Sequence, residues 1–436
     1  MARRKVPLIA AVVVVVTALA YTFLWGRYVH HVNQWDTGLD IWGTMHAAHY
    51  IGYGDIADIY TPGTGFISTP GILVLLAPAA MIVSRFGLGE SFPFVNVRPA
   101  AWFVVGPVEM AVSTIALFAF DALAEELGLS KRRRIVLTVL EAVLLWPLVA
   151  IWGHPEDPIA IAFVVYGLIY ALRSRWALCG WMFGVAIAFQ PVAILALPLV
   201  LAIAPDNRRR LNMVVKAAVP AALLLAIPFA YSFHNTTRAL VEQPTYPSIN
   251  HPTPWLAFAP VLEKNAVYSS HQEMLFKSDG RLQFHSVTVP QHTGNVVAPG
   301  LPRLLGLATA VGLGLFAWRR RPSPRMLLWL MSVALASWCF FEAVMTPYYF
   351  WSPLAMVLVA GATSKWWRWV VTAVAAGVVT RYSYLYLSEW AWWAPEMVFL
   401  GVALLAAIPG RFERHPLEAS TEEVEAPRAA EAVATG

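Results

Sequence analysis

Residues 131–175 read KRRRIVLTVLEAVLLWPLVAIWGHPEDPIAIAFVVYGLIYALRSR. Four basic residues open the stretch and an apolar run follows over 135–152. The short turn Gly153-His154-Pro155-Glu156-Asp157-Pro158 then leads into a second apolar run, 158–172, which ends at Arg173 and Arg175. A bilayer crossing needs roughly 20 apolar residues, and Lys and Arg collect on the cytoplasmic side. The stretch therefore reads as two helices crossing in opposite directions, with the acidic turn between them facing outward.

The same pattern recurs along the chain. Apolar runs lie at 7–26, 101–124, 135–152, 158–172, 176–189, 191–204, 212–232, 301–318, 326–345, 350–363, 369–386 and 394–409. Alternating crossings place every dense basic cluster on one side: 131–134, Arg173 and Arg175, 208–210, 319–325, Lys365 and Arg368, Arg411 and Arg414. The apolar run 69–84, with Pro70 and Pro78, would break that order as a full crossing. It reads instead as a re-entrant or interfacial segment on the outer side, lining a cavity. The expected fold class is all-α, a polytopic transmembrane helical bundle of about 12 spans plus this segment.

Composition agrees. Of 436 residues 58% are hydrophobic and only 13% charged, against about 25% charged in soluble domains. The net charge of +5 is spread by topology rather than gathered into a patch, which argues against nucleic acid as a partner. Cys179 and Cys339 lie inside apolar runs and read as small buried hydrophobes, with no disulfide or metal framework. Arg3, Arg4 and Lys5 followed by apolar residues to Ala20 look like a signal peptide, but the apolar character continues through Trp25. An uncleaved first helix is the preferred reading.

This gives a membrane domain over 1–410 with outer loops at 27–68 and 234–300, and a Glu/Ala-rich tail, 411–436, expected to be disordered. Both termini are expected in the cytoplasm, the chain in the plasma membrane and any active site on the outer face.

Residues suited to chemistry gather in the outer segments. Asp36 and Asp40, four apart in the first loop, would share one face of a short helix; helix capping is the alternative reading. His154, Glu156 and Asp157 crowd the turn after the third run, where acidic capping of the next helix is equally natural. Gln190 joins two short runs, and Tyr348 lies in the tight turn Pro347-Tyr348-Tyr349 after Glu342. Arg381 and Arg303, near outer ends of runs, are suited to bind a phosphate. Snorkelling, or pairing of Arg381 with Glu389, is the competing account. His251, in the second outer loop, could close over a substrate or stay solvated.

In this order the pieces resemble the membrane glycosyltransferases of the GT-C superfamily, closest to glycosyltransferase family 87, the actinobacterial polyprenyl-phosphate-mannose-dependent mannosyltransferases. The likeness rests on Trp35, Asp36 and Asp40; on Gly54, Ile59 and Tyr60; on Phe66 and Pro70; on the 153–158 turn; on Gly184, Ala186, Ala188 and Pro191; and on the Pro347 turn. Gln190 stands where the family pattern has lysine, His154 where Gln or Asn is commoner, and 66–70 is looser than an aromatic-Pro-Pro motif. The resemblance implies a GT-C-like fold and inverting transfer of a sugar, mannose by family, from a polyprenyl phosphate to a lipid or glycan hydroxyl in cell-envelope glycolipid biosynthesis. Asp36 would be the catalytic base. Asp40, His154, Glu156, Asp157, Gln190, His251, Arg303, Tyr348 and Arg381 would contact substrate. The implied enzyme needs no cofactor and no metal, although Asp36, Glu156 and Asp157 are oxygen ligands of the hard-cation type. Its partners are the membrane lipid, the lipid-phosphate donor and the acceptor.

Two other classes remain open. A transporter or lipid flippase would use Glu109, Glu141, Glu342 and Arg381 as an intramembrane relay, and a non-catalytic GT-C-like partner would keep the fold without the chemistry.

Overall fold

Each of the twelve apolar runs is mainly helical over its described residues in the computed structural model, which describes residues 4–24, 40–61, 64–86, 90–91, 102–269, 273–276, 282–285, 291–385 and 387–410. The helices are α1 (Lys5–Leu24), α2 (Ile41–Tyr53), α3 (Gly71–Arg85), α4 (Trp102–Ser113), α5 (Ile115–Glu126), α6 (Lys131–Pro147), α7 (Glu156–Leu172) and α8 (Trp176–Phe189). They continue as α9 (Leu197–Ile203), α10 (Asn207–Tyr231), α11 (Phe233–Thr237), α12 (Gly300–Arg320), α13 (Pro324–Phe341), α14 (Trp351–Ala362), α15 (Trp366–Tyr382) and α16 (Glu389–Ala407).

Among the described residues, seven helices are long and apolar enough to cross a membrane: Lys5–Leu24, Phe103–Glu126, Lys131–Trp152, Asn207–Tyr231, Gly300–Arg320, Pro324–Phe341 and Glu389–Ala407. The chain is thus a multi-pass membrane protein, with seven of its twelve expected spans at full length. The other five runs form shorter helices. At 1.5 Å per residue, the 14 residues of α8 rise only about 21 Å, against a hydrocarbon core of roughly 30 Å. For α14, burial explains why a shorter helix is tolerated. Every residue of α14 is buried, so this helix is surrounded by protein and its length need not match the lipid.

The outer segments differ from simple loops. The first holds α2, which packs against α3, the apolar run expected to be re-entrant or interfacial. With 15 residues, α3 rises roughly 22 Å. Gly71 at its start is required by close approach: a Cβ there would lie 2.4 Å from the carbonyl oxygen of Ala188, at the end of α8. The chain is mostly helical, as an all-α polytopic fold requires, and the second outer segment adds a few strands. It contains strands, β3 (Val261–Ser269) paired antiparallel with β6 (Gln291–Val297). Around these lie β1 (Glu90–Ser91), β2 (His251–Pro252), β4 (Glu273–Phe276), β5 (Leu282–His285) and β7 (Val344–Met345), with β1 on β4, β4 on β5 and β2 on β7. The tail 411–436, expected to be disordered, lies outside the described residues.

One end of the bundle is tied together by the basic clusters. Arg134 grips both oxygens of Asp121 at 2.8 Å from the start of α6. Arg4 pairs with Asp121 and Glu125, and Arg173 at the end of α7 pairs with Glu126 at the end of α5. Arg133 donates to the carbonyls of Ala362 and Ser364 at 2.6 and 2.7 Å. The starts of α1 and α6 and the ends of α5, α7 and α14 therefore share one end. The turns joining α6 to α7 and preceding α14 share the other.

Candidate functional site

The second end is built from the way α6 stops. Pro147 ends its regular turns, and residues Leu148–Trp152 widen into a single π turn. Such turns interrupt helices mostly at functional sites. Gly153 then takes φ +67, a left-handed conformation that suits glycine, and its N–H donates to the Leu148 carbonyl at 3.0 Å. The chain reverses within three residues and α7 starts with Glu156 and Asp157 in its first turn, where unpaired backbone N–H groups favour carboxylates.

His154 is the centre of what results. Its Nδ1 donates to Glu156 Oε1 at 2.6 Å and its Nε2 to Asp40 Oδ2 at 2.8 Å. Asp40 is positioned independently, because its backbone N–H donates to the Trp152 carbonyl at 3.0 Å. A ring that donates from both nitrogens is an imidazolium. Burial opposes that charge, but the Glu156 carboxylate and the Asp40 hydrogen bond outweigh it and hold the imidazolium well above the ordinary histidine range. Tyr348 stacks on the ring with centroids 3.8 Å apart, and burial pushes its phenol up. Trp152 packs beside Tyr348 and donates from Nε1 to the Tyr384 hydroxyl at 3.0 Å. A small cavity of about 20 Å³, room for roughly one water molecule, adjoins this group, lined among others by Trp152, Pro347, Tyr348 and Tyr384.

Next to Glu156, Asp157 Oδ1 accepts from Gln190 Nε2 at 3.0 Å. Glu156 and Asp157 are 5% and 6% exposed, yet Glu156 Oε2 and Asp157 Oδ2 have no partner among the described residues. Native interiors rarely leave such oxygens unpaired without a functional reason or an absent ligand. Three carboxyl groups around one imidazolium suit hydroxyl donors, not a phosphate. Among the described residues no group of three or more His, Cys, Asp or Glu side chains could hold a metal ion. Asp36, a member of the oxygen set considered above, lies outside them, as does its position relative to the cluster.

Six of the ten residues expected at a site thus converge: Asp40, His154, Glu156, Asp157, Gln190 and Tyr348. Three others lie elsewhere. His251, expected in an open loop, is 5% exposed. It pairs with Met345 as part of β2 and β7 and stacks on Trp392 at 4.3 Å; burial pushes it down to about 4, so the ring is neutral. Arg381 is exposed in the last turn of α15 and forms no ion pair among the described residues, Glu389 included. Arg303, in the first turn of α12, reaches Glu342 at 3.4 Å and Gln243 at 2.5 Å, with its guanidinium 4.4 Å from the Trp338 ring centroid.

Gln243, Trp338 and Tyr384 were not among the expected residues. Gln243 is joined to Arg303 across 60 positions, and nothing local in the sequence signals that contact. Tyr384 follows Arg381 by three positions at the same helix end, and an interfacial aromatic there was the available clue.

No curated protein matches the chain. Residues 100–206, which run from α4 to the turn after α9 and include His154, Glu156, Asp157 and Gln190, match the family profile described as alpha-(1->6)-mannopyranosyltransferase, N-terminal domain. The resemblance to membrane mannosyltransferases of the GT-C type, read from the motifs, is therefore shown by an independent comparison.

Proposed function

We propose that the chain moves mannose from a polyprenyl phosphate to a hydroxyl of a lipid or glycan acceptor, with inversion, at the outer face of the plasma membrane. The observation that carries the reading is the buried pair Glu156 and Asp157, each with a carboxylate oxygen that has no partner among the described residues, beside the Asp40–His154 ion pair. Carboxylates in that state suit sugar hydroxyls. The family profile covers His154, Glu156 and Asp157.

In the proposed reaction the acceptor oxygen attacks the anomeric carbon of the donor from the face opposite the phosphate. The new C–O bond forms as the bond to the phosphate oxygen breaks, the electron pair leaves with the polyprenyl phosphate, and the acceptor proton passes to a base. Phosphate departs readily, so no general acid is needed. By resemblance the base is Asp36. It precedes Asp40 by four residues in the first outer segment. Glu156, Asp157 and Gln190 hold the acceptor. Of the four candidate cations, Arg303 has hydrogen-bonding capacity to offer a phosphate: His154 is committed to two carboxylates, His251 is neutral against Trp392, and Arg381 is exposed with no ion pair among the described residues.

A second reading, a lipid transporter, is favoured by one observation. Glu109 and Glu141 are fully buried in the spans Phe103–Glu126 and Lys131–Trp152, and both Glu141 oxygens lack a partner among the described residues. Transfer of labelled mannose from polyprenyl-phosphate-mannose into lipid extract, using membranes with wild type or Asp36→Asn, separates the readings. The proposal expects new product from wild type and none from a well-expressed variant. Product from both removes Asp36 from the mechanism. Product from neither, with the arabinose donor tried as well, removes the transferase.

A further inference from the structure

Arg303 is held with unusual care for a residue that makes so little use of its donors. Trp338 supports the face of its guanidinium at 4.4 Å. One terminal nitrogen donates to Gln243 Oε1 at 2.5 Å; the other reaches Glu342 Oε2 only at 3.4 Å. Its Nε is buried with no partner among the described residues. A guanidinium has five N–H donors in a rigid fork, and a carboxylate or phosphate normally takes two of them in parallel at shorter range.

The supports are themselves costly. Gln243 sits at φ +40, a conformation rare for a residue other than glycine, and its amide nitrogen donates to the Ile67 carbonyl at 3.2 Å. Strain of this kind persists where the surroundings enforce it and gathers at ligand sites. Glu342 is 4% exposed. Its second oxygen lies 3.3 Å from the Ala343 N–H, and its backbone carbonyl accepts from the Thr253 hydroxyl at 2.6 Å. The cluster belongs to the same end of the molecule as the His154 group, since Tyr349, ring to ring with Tyr348 at 5.0 Å, feels the charges of Glu342, Arg303 and Asp157.

We propose that Glu342 is an internal anion holding the place on Arg303 that the phosphate of the lipid donor takes, so that donor binding exchanges one anion for the other. The proposal rests on the transferase reading above. On exchange, Glu342 loses its only cationic partner among the described residues while still buried. A buried carboxylate without a partner takes up a proton rather than remain charged. Burial already pushes Glu342 up and Arg303 holds it back. The titratable groups around it are Arg303 from α12, Cys339 from its own helix and Tyr349 from the following turn, with Asp157 and Glu396 felt beyond Cys339. Departure of the Arg303 charge to a phosphate is therefore the change that drives the proton on.

The test is binding, which needs no turnover. The full chain in detergent is titrated with methyl farnesyl phosphate, a phosphodiester whose single charge is constant across neutral pH, and with farnesol and inorganic phosphate for comparison. Wild type is expected to bind the phosphodiester with proton uptake, seen by calorimetry in buffers of different ionisation enthalpy, and therefore more weakly as pH rises. Glu342→Gln is expected to bind it roughly tenfold more tightly, a modest part of what one charge near 4 Å exerts near a protein surface, with no pH dependence. Arg303→Gln should lose binding, and farnesol should not distinguish the proteins. Tighter binding of inorganic phosphate than of the phosphodiester would assign the site to a free anion and overturn the lipid donor. Equal or weaker binding by Glu342→Gln, or binding to wild type without proton uptake, overturns the exchange, and the proton measurement decides the matter even when the variant does not fold. Mannose transfer by wild type together with such a result leaves the transferase reading standing and removes only this inference.

Discussion

Replacing His154 by asparagine removes the one cation among the described residues that faces both Asp40 and Glu156, and the two halves of that loss differ in size. Asp40 is 45% exposed in the pair, so its contact belongs to the surface class, worth about 0–1 kcal/mol. Glu156 is 6% exposed, and stripping the partner from a buried charge costs about 3–5 kcal/mol. The Asp40 contact adds little to this, so about 3 kcal/mol, the lower end of that range, is expected in all. In a chain of this size this corresponds to a fall of roughly 3 °C in melting temperature. The loss depends on pH with a definite sign. Because folding raises the affinity of His154 for its proton, its stabilisation is complete below the unfolded value of about 6.5 and disappears as pH rises through the higher folded value. Melting curves of purified wild type and His154→Asn in detergent, from neutral to strongly alkaline pH, should therefore lie furthest apart at neutral pH and converge on the alkaline side. Equal melting temperatures at pH 7, or a gap that widens with pH, would refute the imidazolium assignment.

Gly71→Ala should destabilise the protein by about 1–3 kcal/mol, since the new Cβ falls 2.4 Å from a backbone oxygen that cannot swing aside; thermal melting checks this, and mannose transfer should fall with it because α3 is pushed away from the end of α8. Gln190→Leu should cost about 1–3 kcal/mol by removing the donor to buried Asp157, and most transfer activity with it. Gln190→Lys, which restores the residue of the resembling family and keeps a donor to Asp157, should retain transfer in the same assay.

The spans were legible because lipid imposes a long, local rule: an apolar run must be continuous and its charges must stay at the ends. The 153–158 turn was legible for a related reason, since His154 and Glu156 are two residues apart and meet with little help from the rest of the fold. Contacts between distant segments were not. The Arg303 partners lie 39 and 60 positions away, and Arg381 sits near Glu389 in sequence without pairing with it. The polar, proline-rich character of 234–300 suggested open loops, but alternating residues there pair as strands, and His251 is drawn under by an aromatic face on α16. The short helices α7 and α14 run between the two ends of the bundle with α14 enclosed by protein and α7 mostly so, and enclosure by protein selects for the same apolar residues as lipid does.

The enclosure of α14 also bears on how the protein is made. This helix packs against α6 and α7, synthesised before it, and against α15 and α16, synthesised after it. The turn carrying Tyr348 enters it directly, and Tyr384, which accepts from Trp152, lies between the last two helices. The aromatic wall around His154 therefore cannot be complete while the ribosome is still translating α15. Most of the membrane region must be inserted before the acidic pair Glu156 and Asp157 acquires its surroundings, so a nascent chain that stalls before residue 384 is assembled without a finished site.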